Sequence, residues 1–416
     1  MPTAAHPIAN VEDTKVLVIG AGQAGLAVSH ELSAADVQHV VLERGRVGET
    51  WRGRWDSFCL VTPNWSVLLP GGAYTGSDPD GYMARDSVVA HLESYAESFH
   101  APVQRGIEVT SVMRDARIGF NVATSAGSLR AETVVVATGA YQKPHRPPAA
   151  AALPHETFSI DAEQYSRPEA LPPGRVLVVG SGQTGCQLSE ELHHSGRDVF
   201  LACGRAPWAP RRIAGRDFFS WIVETPFIET TPMQLPNEQA RLIANVQATG
   251  HDGGHDLHYR TLQALGVRLL GHLTGVADGR VHFASDLEDS VAFGDARYGE
   301  IRELLSRHCA SRRVPMPTMP DPEPFRARAV EHVALRDLGA VIFTSGFRPD
   351  YDRWVRVPGA FDPSGFPLHV EGQSTGAPGL FFVGVHFLRK RKSSLLYGVG
   401  EDAAVVARAI TAARRA

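Results

Sequence analysis

Residues 16–32 read VLVIGAGQAGLAVSHEL, and a near copy, VLVVGSGQTGCQLSEEL, occupies residues 176–192, 160 positions further on. Each copy opens on a short apolar run rich in β-branched residues, the composition of a strand buried on both faces of a parallel sheet. Each continues with G-x-G-x-x-G and then with apolar residues at helical spacing. The three glycines have separate tasks. The first permits a tight turn out of the strand, the second lets phosphates approach the backbone, and the third lets the helix lie close to the strand. Free N–H groups at the helix start then face any anion held over the turn. One such glycine pattern says little. Two, each set between a strand and a helix, predict an α/β protein with two nucleotide-binding units.

The segment after each turn separates the two units. Beyond the first, VQHVVLERG reads as a second strand ending at Glu43, 18 positions past Gly25, where a carboxylate can accept hydrogen bonds from both hydroxyls of a ribose. Beyond the second, RDVFLACGRAPWAPRR ends its strand without a carboxylate and carries Arg205, with Arg211 and Arg212 close behind. A guanidinium grips a 2′-phosphate bidentately where a carboxylate repels it, so the second unit is expected to select NADPH. For Arg211 and Arg212, a phosphate contact and a solvated loop both stay open.

Two strand-to-glycine exits, VVVATGAYQKP at Thr138-Gly139 and VIFTSGFRPD at Ser345-Gly346, suit chain crossings between two nucleotide-binding domains. The expected layout is therefore α/β with two Rossmann-like dinucleotide-binding domains, the NADPH domain inserted into the FAD domain. Residues 1–165 and 341–416 make up the FAD domain in this reading. Residues 166–340 make up the NADPH domain, with a helical elaboration at about 217–325. A final amphipathic helix is expected to start near Gly400, with Glu401 and Asp402 in its first turn as the helix dipole favours.

Composition narrows the function. The 416 residues hold 41 Lys and Arg against 45 Asp and Glu, a net charge of −4, which gives no general attraction to nucleic acid. No apolar run approaches the length of a membrane span. The opening MPTAAHPIANVEDTK has no basic segment followed by an apolar core, so it reads as a loose arm before the first strand, and the expected compartment is cytoplasmic. Cys59, Cys186, Cys203 and Cys309 lie far apart without a C-x-x-C, which argues against a disulfide framework and a redox dithiol. His251, His255 and His258 lack a metal-site spacing, so no metal is expected. The run Arg389-Lys390-Arg391-Lys392 reads either as a solvated loop or as an attractor for an anionic substrate or a cofactor phosphate.

The two glycine turns, Val135-Val136-Ala137-Thr138-Gly139, Thr344-Ser345-Gly346-Phe347 and VGETWRGRWDSFCLVTPNWSVLLPG at residues 47–71 together resemble the class B flavin-dependent monooxygenases, which are two-dinucleotide-binding-domain flavoproteins. GSGQTGCQLSEEL and LLYGVGEDA are most similar to small bacterial members that are themselves similar to the plant auxin-forming monooxygenases. The resemblance implies FAD on Gly20, Gly22, Gln23, Gly25, Glu43, Arg44, Trp51 and Arg52, with Gly139 and Asp402 also on the cofactor side. It implies NADPH on Gly180, Gly182, Gln183, Gly185 and Arg205, and Asn64 as the catalytic asparagine beside the flavin C4a and N5 atoms. Residues 395–402 would cover the pyrimidine side of the ring. The implied enzyme forms a C4a-(hydro)peroxyflavin with O2 and oxygenates a small nucleophilic N- or S-containing or carbonyl substrate. Trp55, Phe58, Trp65 and Tyr74 would either wall its pocket or belong to the core.

One departure stands out. The family fingerprint F-x-G-x-x-x-H-x-x-x-(Tyr or Trp) is represented by HETFSIDAEQYSRP, which keeps Tyr165 but has His155 at the phenylalanine and Asp161 at the histidine. That substitution keeps two alternatives in view: an NADPH oxidase or dehydrogenase on the same fold that does not oxygenate, and a non-catalytic NADPH-sensing flavoprotein. The expected partners are a small molecule and O2, with no nucleic acid and no membrane; a monomer and a homodimer both stay open.

Overall fold

Each glycine turn sits at the centre of its own sheet. In the first, Asp13–Ile19 (β1) is hydrogen-bonded in parallel to Val40–Glu43 (β2) on one side and to Gly127–Val136 on the other. Flanked on both edges and covered on both faces, Val16, Leu17 and Val18 are fully buried, which is why the run is apolar without alternation. Gln23–Ala34 (α1) carries the chain from β1 back to β2. Beyond β2 the sheet gains Val103–Arg105, and beyond Gly127–Val136 it turns antiparallel through Gly119–Thr124 and Val109–Asp115. Near the other end of the chain, Leu380–Phe382 pairs in parallel with Gly127–Val136, so both ends share one sheet.

The second sheet is parallel throughout. Its order is Ser159–Asp161, Leu338–Phe343, Arg175–Val179 (β3), Val199–Ala202 (β4), Arg268–Leu270. Gln183–His194 (α2) links β3 to β4 and repeats the geometry of the first unit. Two strands fall elsewhere than expected. Ser159–Asp161, assigned from sequence to the first domain, lies against Leu338–Phe343, and Arg268–Leu270, inside the expected helical elaboration, is the sheet's edge strand. The rest of that region holds an antiparallel trio, Leu273–Ala277, Arg280–Phe283 and His332–Ala334, and the 26-residue helix Leu287–Arg312.

These descriptions come from a computed structural model and cover residues 13–115, 119–328 and 330–415; the expected N-terminal arm lies outside them. The final helix, Val399–Arg415 (α3), shares a core with α1, where Ala24, Ala27 and Val28 meet Ala403, Val406 and Ala407. Small side chains on both helices allow the close approach. Where the chain crosses between sheets, Lys143–Pro144 pairs antiparallel with Phe347–Arg348, so the outgoing and returning segments form one ribbon. Among the described residues, no helix is long and apolar enough to cross a membrane.

Candidate functional site: one cleft between two glycine turns

Gly20 and Gly22 of the first turn and Gly180 and Gly182 of the second all line a single cleft of about 1430 Å³. An ordinary ligand pocket holds roughly 300–1,000 Å³. The cleft is therefore generous for one ligand and suited to two.

The first turn is tight where it needs to be and open where a ligand would lie. A Cβ on Gly25 would stand 1.8 Å from the Gly20 carbonyl oxygen, so only glycine lets α1 start this close to β1. A Cβ on Gly22 would meet nothing within 4 Å. At the end of β2 the buried Glu43 carboxylate accepts from the Ala21 N–H at 2.8 Å and the Gly45 N–H at 2.9 Å. These two backbone donors fix its orientation on the cleft wall and leave lone pairs that can accept from ribose hydroxyls, an acceptor set that fits the adenosine end of FAD. Arg44 lies exposed beside it. Gln23 joins three parts of the wall: its oxygen accepts from the Trp51 indole at 2.7 Å, and its amide donates to the Ser394 carbonyl at 3.0 Å. Gly139 also lines the cleft, its carbonyl accepting from the Tyr351 hydroxyl at 2.8 Å.

The second turn repeats the tight part. A Cβ on Gly185 would lie 1.9 Å from the Gly180 oxygen. Its open part is covered. The position a Gly182 Cβ would take is 3.5 Å from the Ala244 side chain, and Gln183 donates to the Val246 carbonyl at 2.7 Å. Gln187 donates to the Ala248 carbonyl and Gln247 to the Ser181 carbonyl, both at 2.8 Å. Residues 244–248 thus form a strap across the turn. Sequence reasoning missed this strap, since a short stretch of mixed polar and apolar residues with neither strand nor helix periodicity gives no signal. Arg205 lies just past β4, exposed on the cleft wall and without an ion-pair partner among the described residues.

Several expected site residues do other work. Asn64 is buried, donating to the Asp78 carbonyl at 2.9 Å and accepting from the Met83 N–H at 2.6 Å; it braces the 62–83 loop and is absent from the cleft wall. Arg52 pairs with Glu93, and Asp402 is buried against Arg389 at 3.0 Å; neither reaches the cleft. Burial raises the Asp402 carboxyl above its ordinary range although Arg389 opposes that shift. Arg211 is neither solvated nor free for a phosphate. It is buried against Asp217 at 2.6 Å, stacks on Tyr82 at 4.4 Å and donates to the Val61 carbonyl, so its charge is neutralised. Arg212 donates to the Gly253 carbonyl at 3.1 Å. Asp161, in the fingerprint position, accepts a bidentate pair from Arg146 at 2.8 and 3.0 Å.

The basic run at 389–392 is not a solvated loop. Arg389 pairs with Asp402 and Glu371, while Lys390 and the buried Lys392 share Glu229 and Glu401. Arg391 differs: it lines the cleft between the rings of Phe227 and Phe387, at 4.2 and 4.7 Å from their centres. Desolvation pulls its guanidinium down to about 10. Of the expected aromatic wall, Trp55 and Phe58 face the cleft. Trp65 packs behind Phe219 and Tyr397, which do line it, and Tyr74 belongs with the first core. Cys203 also touches the wall, but burial pushes its thiol well up and it donates to the Leu201 carbonyl, so it is no ready thiolate.

Comparison with known proteins agrees with this geometry. Residues 17–230 match the family model described as pyridine nucleotide-disulphide oxidoreductase. An uncharacterised CzcO-like oxidoreductase of Geobacillus kaustophilus is 31% identical over 93% of this chain and 95% of its own. An indole-3-pyruvate monooxygenase of Oryza sativa subsp. japonica is 29% identical over 53% of this chain and 54% of its own. Among solved structures, a flavin-containing monooxygenase from Stenotrophomonas maltophilia superposes with a TM-score of 0.67 at 20% identity, covering 97% of this chain and 99% of that one. With the family matched over half the chain and a relative matched over nearly all of it, the protein belongs to the pyridine nucleotide-disulphide oxidoreductase family.

Proposed function

We propose that the protein uses NADPH and O2 to oxygenate a small nucleophilic or carbonyl substrate, with FAD over the 20–25 turn and NADPH over the 180–185 turn. The observation that carries this reading is that both turns line the same cleft, so two dinucleotides would meet inside it. When bound, FAD supplies the redox chemistry, taking a hydride from NADPH and passing electrons to O2. The chain's own residues bind and shield. Glu43, held by two backbone N–H groups, takes the ribose hydroxyls of FAD, and the open face of Gly22 takes its phosphates. Arg205, with no carboxylate paired to it among the described residues, takes the 2′-phosphate of NADPH. Trp55, Phe58, Phe219 and Tyr397 keep the reacting end dry.

A second reading, an NADPH oxidase that releases peroxide, draws on two observations. Asn64 is engaged with Asp78 and Met83 away from the cleft, and Asp161 replaces the fingerprint histidine with an ion pair. The experiment that separates the two supplies the FAD-loaded protein with NADPH, labelled O2 and a panel of thioethers, amines and ketones. Label in an organic product supports oxygenation. Hydrogen peroxide equal to the NADPH consumed, with no labelled product, supports the oxidase.

A further inference from the structure

We propose that Arg391 anchors the anionic group of the substrate, which is a small organic acid with its carboxylate against Arg391 and its apolar body among Phe219, Phe227 and Tyr397. The proposal rests on the reading of this cleft as the flavin site and narrows the substrate class within it.

The four cations of the 389–392 run share four carboxylates very unevenly. Asp402, Glu371, Glu229 and Glu401 all go to Arg389, Lys390 and Lys392. The Arg391 side chain has no carboxylate and no hydrogen-bond acceptor among the described residues, and its Nε is buried without a partner. The guanidinium carbon lies 4.2 and 4.7 Å from the ring centres of Phe227 and Phe387, and the side chain lines the cleft. A half-buried guanidinium with a buried, unpartnered Nε and no counter-charge beside it among the described residues is costly, and a ligand anion relieves that cost. The neighbourhood is positive as well. Arg241 lines the same cleft with its nearest carboxylate, Asp362, at 4.0 Å, and the charges of Arg391 and Arg241 both disfavour protonation of His386. The 3-10 turn Arg391–Ser394 is tied through the Ser394 carbonyl to Gln23 at the start of α1, so the free guanidinium sits on the FAD side of the cleft. An amine or a neutral ketone would leave Arg391 unpaired, whereas a carboxylate matches its planar fork. A cofactor phosphate offers similar chemistry, and the test distinguishes the two sources.

The test uses FAD-loaded protein with phenylacetate and its neutral counterpart phenylacetamide as probes, read by the change each causes in the flavin absorbance spectrum. The wild type is expected to bind phenylacetate at least about tenfold more tightly, the ratio one favourable charge contact supports. Arg391→Met removes that preference and Arg391→Lys restores part of it, while the affinities for FAD and NADP+ change less than about twofold. Equal binding of the two probes by flavin-containing wild type overturns the proposal, as does binding of neither. Loss of FAD or weakened NADP+ binding in Arg391→Met, matching the loss of phenylacetate, assigns the guanidinium to a cofactor phosphate and also overturns it. A wild-type preparation that holds no flavin fails the functional reading instead.

Discussion

Gly22 and Gly25 stand three residues apart in one turn, yet their substitution separates folding from cofactor binding. Gly25→Ala places a methyl 1.8 Å from the Gly20 oxygen, so α1 must shift; it is expected to cost about 2 kcal/mol or more and to lose flavin with the fold. Gly22→Ala adds a methyl to empty space, so the apoprotein unfolds within about 1 kcal/mol of wild type while FAD affinity falls at least about tenfold. Thermal unfolding of apoprotein beside a flavin titration checks both; Gly22→Ala with undiminished FAD affinity contradicts the phosphate reading. Burial holds His258 and His386 at about 4, well below the ordinary 6.5. Below 6.5 the unfolded chain takes up protons these rings refuse, so stability is full above that value and falls as pH drops toward 4, by up to about 3 kcal/mol per ring. Urea midpoints at about pH 7 and about pH 5 should show the loss, and His386→Gln should reduce it; a slope unchanged in that variant contradicts the assignment. At this scale the sequence was uneven. The tight glycine turns and the place of Glu43 at the end of β2 were legible as structure because a local strand–turn–helix pattern dictates them. Asn64 and Asp402 were not, because their partners Asp78, Met83 and Arg389 are set by loop packing that no local pattern encodes.

Among the elements, the strap at 244–248 decides access to the second turn. Ala244 stands 3.5 Å from the place of a Gly182 Cβ, and three glutamines, Gln183, Gln187 and Gln247, hold the strap down. A pyrophosphate approaching Gly182 must displace it. Backbone hydrogen exchange of residues 240–248 is therefore expected to change when NADP+ binds the FAD-loaded protein; no change on saturation contradicts a nucleotide at this turn. The run at 389–392 was hidden from sequence for a related reason. Four consecutive cations look solvated in a linear reading, but Glu229, which pairs with Lys390 and Lys392, comes from the 3-10 turn Pro226–Glu229 in a distant part of the chain. Such long-range counter-charges appear only once the two elements meet.

The whole molecule was legible in outline because its two β-α-β units and two strand-to-glycine exits are periodic signals. Its discontinuous connection comes from Leu380–Phe382 joining the first sheet after Leu338–Phe343 closes the second. The misplaced pieces, Ser159–Asp161 and Arg268–Leu270, are three-residue strands, too short for alternation to show. The meeting of both turns in one cleft unites the molecule, and the ribbon of Lys143–Pro144 and Phe347–Arg348 contributes Pro144 and Phe347 to its wall. On the proposed function, a nicotinamide at the second turn would reduce a flavin at the first without any intervening thiol. The measurement that tests it is an anaerobic titration of the FAD-loaded protein with NADPH, tracked by the flavin absorbance. Bleaching of the oxidised flavin, complete at about one NADPH per flavin and undiminished when Cys186 and Cys203 are both replaced by Ala, is the predicted result. A flavin that stays oxidised under excess NADPH, or that is reduced only when both cysteines are present, contradicts it.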